Sequence, residues 1–77
     1  DLKKACKYFK ESYENNSRNH YALFQLALAS DDFYKDKKIA LKYYKWYVER
    51  FSSKDKKMTA YVIKRLKEMK KEFFMEG

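Results

Sequence analysis

The apolar positions of this chain recur at three- and four-residue steps in four segments, separated by short polar breaks, and that spacing predicts four α-helices. The first segment covers about Asp1 to Asn15, with Leu2, Ala5, Tyr8, Phe9 and Tyr13 on one side. The run from Glu14 to Asn19 interrupts it, because Asn and Ser side chains compete for backbone hydrogen bonds; Asn19 or Ser17 can cap the next start. The second segment covers about His20 to Ser30, and between Tyr21 and Ala29 its one polar residue is Gln25. A helix apolar all round must be enclosed by neighbours or offer one side to a partner. Ser30-Asp31-Asp32 is expected to loosen it, and Asp36 to cap the third helix, Lys37 to Phe51.

On that third helix Ala40, Tyr43, Tyr44, Tyr47 and Phe51 form the centre of an apolar arc of about 200°, flanked by Leu41, Val48, Ile39 and Trp46. So wide an arc predicts a helix wedged between two others. After Ser52-Ser53-Lys54-Asp55 a fourth helix runs to about Phe74, with a seam of Met58, Val62, Leu66, Met69 and Phe73 and a lysine-rich far side. One apolar side and one strongly charged side suit a helix that terminates a stack. The fold class is therefore all-α.

Two of these segments are also alike. Ala5-Cys6-Lys7-Tyr8-Phe9 recurs 35 residues later as Ala40-Leu41-Lys42-Tyr43-Tyr44, a small residue followed four positions on by an aromatic one. A period near 34 residues marks helix-turn-helix repeats that bury a core by stacking on one another. Leu23-Phe24-Gln25-Leu26-Ala27 followed by Ala40-x-x-x-Tyr44 resembles one unit of the tetratricopeptide family, with Tyr47 where a small residue is usual, and Ala5-x-x-x-Phe9 resembles the second helix of the unit before it. The resemblance spans about residues 1 to 51. It departs from the family at Ser17 and Ser52, where a Pro is common, and at Ser30, where a Tyr is frequent. The terminal helix is similar to the solvating end of bacterial members.

The resemblance implies an α-α superhelix in one domain over residues 1–77: residues 1–16 as the second helix of a preceding repeat, 19–52 as a complete repeat and 55–75 as a capping helix. Small residues, Ala27 and Ala40 above all, would let paired helices approach. Phe9, Leu23, Leu26, Tyr44 and Tyr47 would fill the space around them. It also implies a protein-interaction scaffold whose groove is lined by Tyr21, Phe24, Leu28 and Asp31. Phe24 and Leu28 stand where chaperone-binding members carry Lys and Asn, so a carboxylate clamp is disfavoured and a hydrophobic peptide or partner helix is expected. A chain that starts at Asp1 rather than Met is expected to be cut from a longer array, and either to be marginal alone or to cover its open face by dimerising.

Composition adjusts this picture in a few places. A net charge of +8 raises a polyanion-binding alternative through Lys56, Lys57, Lys64, Lys67, Lys70 and Lys71. Against nucleic acid stands the identity of the cations: sixteen of nineteen are Lys and three are Arg18, Arg50 and Arg65, whereas phosphate and base recognition favour the Arg fork. A third reading makes the segment a purely structural array terminus. Catalysis and cofactors are not expected. His20 is the one histidine, Cys6 the one cysteine, and the one glycine is the last residue, which removes zinc clusters and phosphate loops. Asp31, Asp32 and Asp36 lack the Gly and distal Glu of a calcium loop and are expected to cap and solvate. No apolar run approaches the length of a membrane span. Trp46 and Tyr13 are candidate contact residues, with burial the expected alternative.

Overall fold

Three of the four helices start where a short polar side chain takes up the free N–H groups of the first turn. In the computed structural model, which describes the backbone of residues 1–76 and the side chains of residues 1–71, Asp1 accepts from Lys3 N at 2.9 Å and Lys4 N at 3.3 Å and opens α1, Leu2–Asn15. Asn19 accepts from Ala22 N at 3.0 Å and opens α2, His20–Phe33. Asp55 accepts from Met58 N at 3.0 Å ahead of α4, Lys56–Glu76. The remaining helix, α3, Lys38–Phe51, has no side-chain cap at Lys37; Asp36 instead accepts from Lys38 N at 3.0 Å. Loss of an N-cap acceptor costs about 1 kcal/mol. Asn19→Ala is accordingly expected to lower the denaturation free energy by about that amount, read from the urea midpoint at unchanged slope.

Among the described residues there is no strand, and the chain is all-α with each helix packed on the next in sequence. The hairpin of α2 and α3 is antiparallel: the His20 ring meets Phe51 at 6.1 Å while Phe24, one turn on, meets Tyr47 at 5.7 Å, one turn back. Side chains then link alternate helices. Arg50 of α3 donates to the Tyr13 hydroxyl of α1, and Arg65 of α4 bonds Asp31 of α2. So α1 and α3 form one layer and α2 and α4 the other. The overall extents, 37 × 29 × 16 Å, fit that plan, since two helices in contact at about 8–10 Å with Cα radii of about 2.3 Å give a slab about 13–15 Å thick.

The core sits between the layers. Leu23, Leu26, Ala27, Ala40, Tyr44, Tyr47, Val62 and Met69 are essentially enclosed, and Ala5 and Phe9 are half-buried at its α1 edge. Ala27 and Ala40 keep no measurable exposure, as close packing of α2 on α3 requires. The seam expected on α4 is buried or half-buried at Met58, Val62, Leu66 and Met69, while its last member, Phe73, lies outside the residues whose side chains are described.

One boundary departs from expectation. The second helix continues three residues past Ser30, to Phe33. Ser and Asp break helices by bonding the local backbone. The Asp31 carboxylate is taken up by other helices and is not free to do so.

Candidate functional site

Asp31, 8% exposed, gathers bonds from three other side chains. Arg65 grips it as a fork, Nε to Oδ2 at 2.6 Å and Nη2 to Oδ1 at 3.0 Å. The Tyr44 hydroxyl donates to Oδ2 at 3.0 Å, and Lys37 Nζ lies 3.3 Å from Oδ1 while also donating to the Asp31 carbonyl oxygen. Capping and solvation, expected for this residue, are thus replaced by a buried junction of α2, α3 and α4. Burial pushes the Asp31 carboxyl up. Hydrogen bonds from Arg65 and Tyr44, the Arg65 charge and Lys37 more than offset this and hold it below its ordinary value of 3.8.

A carboxyl lowered in the folded state stabilises fully above its unfolded value and loses that contribution as pH falls through the folded one. The stability gap between the native chain and Asp31→Asn is therefore expected to be level at neutral pH and to narrow on acidification below about pH 4. Thermal melts of both proteins across that range check it.

The same junction raises the Tyr44 phenol, through burial first and the Asp31 charge second. Tyr47, one turn on, is different. Its hydroxyl is buried without a hydrogen-bond partner, and the nearby Thr59 hydroxyl donates instead to the Ser52 carbonyl oxygen at 2.9 Å.

Of the four residues expected to line a groove, Asp31 is committed to this junction. Phe24 is 9% exposed and wedged between the rings of Tyr47 and Tyr61. Leu28 is half-buried, and Tyr21, 50% exposed, stands at the surface. These four share one side of α2. At about 100° per residue, Leu26 and Ser30 point some 160° away from the Phe24–Leu28 side, and it is on their side that the structure is hollow.

Two adjoining hollows of about 280 and 380 Å³ lie between α1 and α3, sharing Lys10, Leu26 and Tyr43 as common wall. Leu26 and Ser30 of α2 belong to their lining. Lys3, Cys6, Lys7 and Lys10 come from α1, and Lys42, Tyr43, Trp46 and Arg50 from α3. The Ser30 hydroxyl is buried and has no hydrogen-bond partner. Trp46 is half-buried and engaged by cations, with Arg50 4.7 Å and Lys42 5.3 Å from its ring centroid. Tyr13 is buried and held by Arg50. Cys6 is buried as a free thiol.

Arg65 and the Lys3–Lys7–Lys10 row were not singled out from the sequence. A signal for the first existed: among sixteen lysines, an arginine interrupts the inner side of α4 between Val62 and Leu66, where an apolar residue belongs. The row lines a hollow only because the fold sets α3 beside α1.

Among the described residues no group of three or more His, Cys, Asp and Glu is placed to hold a metal ion. No helix of the described chain is long and apolar enough to cross a membrane. Comparison with protein-family models, with curated proteins and with solved structures returns no match.

Proposed function

We propose that this chain is a protein-interaction scaffold of tetratricopeptide type, and that its partner is held in the cleft between α1 and α3. The observation that carries the reading is the two-layer stack itself, in which alternate helices share a layer through Tyr13–Arg50 on one side and Asp31–Arg65 on the other. Such a stack presents a cleft between α1 and α3, lined by apolar and cationic side chains. Concave, partly apolar clefts with a few directed polar groups are the usual form of a binding site. The sequence resemblance over residues 1–51 supports the same reading. It places the partner, however, on the Tyr21–Phe24 side of α2, whereas the hollows open on the opposite side.

Basic α4 favours the polyanion alternative less, because its lysines line neither hollow.

Selection of peptides from a displayed random library against the intact chain tests the proposal. Binders are expected to converge on a common pattern, to change the fluorescence of Trp46, and to lose affinity when Lys42 or Lys10 is reversed to Glu. A library that yields no convergent binder would overturn it.

A further inference from the structure

We propose that the segment seated between α1 and α3 is an extended peptide of alternating acidic and apolar residues, its carboxylates meeting Lys3, Lys7 and Lys10 and its apolar side chains meeting Tyr43 and Trp46. The inference rests on the scaffold reading and names the chemistry of the partner.

Charge comes first. The two hollows carry five cations, from Lys3 and Lys7 to Lys42 and Arg50, against the single carboxylate of Glu14. Among the described residues the ion pairs are those of Asp31 with Lys37 and Arg65, so no α1 lysine is held in an ion pair there, and Glu14 is the one carboxylate among the residues lining the two hollows. Concentrated uncompensated charge on a concave wall selects partners of opposite sign.

Spacing comes second. Lys3 and Lys7 are four residues apart on one helix face, a rise of about 6 Å. Alternate residues of an extended chain are about 6.6 Å apart and point the same way. A carboxylate at every second position therefore matches the Lys3–Lys7 step, the Lys7–Lys10 step being shorter at about 4.5 Å, while the intervening side chains turn toward the aromatic wall of α3.

Aromatic residues beside cations also suit single-stranded nucleic acid, which stacks bases on open rings. Here four of the five cleft cations are Lys, Arg50 being the exception, whereas phosphate recognition favours the Arg fork. The acidic peptide is the better fit.

The test is fluorescence anisotropy of a short labelled peptide with Glu at alternate positions and Leu and Ser between, added to the intact chain. Trp46, the one tryptophan, reports the site. The Glu peptide is expected to bind, to perturb Trp46, and to weaken about tenfold or more with Lys7→Glu, an exposed position whose variant should keep the native circular dichroism. Glu peptides with the charges gathered in one block should bind less well. Equal binding of a Lys-substituted peptide, indifference to Lys7→Glu, or tighter binding of oligothymidylate would each overturn the inference. Failure of the Glu peptide beside tight, Trp46-perturbing binding of an uncharged library peptide would overturn the acidic occupant and leave the scaffold standing; failure of both would remove the two together.

Discussion

Asp31→Ala is expected to destabilise the chain by about 3–5 kcal/mol, the cost of breaking a buried ion pair from one side. A chain of 77 residues has a total stability of about 4–12 kcal/mol, so the variant should sit at or near the edge of folding. The reason lies in what remains. Arg65 keeps its charge with its side chain 18% exposed, and Tyr44 keeps a fully buried hydroxyl, and both lose their bond to the Asp31 carboxylate. Removing both ends should hurt less than the single changes suggest: Asp31→Leu combined with Arg65→Met removes both charges of the fork, although Lys37 and the Tyr44 hydroxyl still lose that acceptor, and replacing a buried pair by apolar residues is often neutral. Urea denaturation of the single and double variants reads the coupling directly. A loss below about 1 kcal/mol for Asp31→Ala would mean that the junction does not hold α4 to α2.

The second large effect concerns Tyr47 and depends on which part of the side chain is removed. Its ring is enclosed and packs on Phe24 at 5.7 Å and Phe51 at 5.9 Å. Truncation to Ala is expected to cost about 3–5 kcal/mol through lost burial and the cavity left behind. Tyr47→Phe removes only a hydroxyl that has no hydrogen-bond partner among the described residues, and should be neutral within about 0.5 kcal/mol or slightly stabilising. Tyr44→Phe makes the contrast. It deletes a hydrogen bond to a carboxylate and should cost about 1.5–3 kcal/mol. Chemical denaturation of the three variants, with equal slopes, checks all three figures. Equal losses for the two Phe variants would mean that the hydroxyls are in similar surroundings after all.

Local rules made much of this architecture readable. Asn and Ser near residue 16, Ser52 through Asp55, and the three-four spacing of apolar residues locate the ends of α1, α3 and the start of α4 closely. They do so because caps and periodicity are decided within a few residues. The width of the apolar arc on α3 correctly implied neighbours on two sides. What the local rules could not reach are the features made by side chains distant in sequence. Asp31 reads as a helix breaker until Arg65, 34 residues away, and Tyr44 are brought to it. Phe24 reads as a groove residue until Tyr61 closes over it. The cleft needs three helices at once, and no single wheel shows it. Ser30, a residue that departs from the family pattern, turns out to place a buried hydroxyl at that cleft rather than to end the helix.

The proposed partner thus has two sides of α2 to choose between: that of Tyr21, Phe24 and Leu28, implied by resemblance, and that of Leu26 and Ser30, hollow in the structure. Backbone amide chemical-shift mapping of the isotope-labelled chain with a selected peptide decides between them. Perturbations confined to Lys3–Lys10, Ser30 and Lys42–Arg50 are the predicted result. Perturbations centred on Tyr21, Phe24 and Tyr61, with the α1 amides unmoved, would contradict the account and return the partner to the opposite side of the second helix.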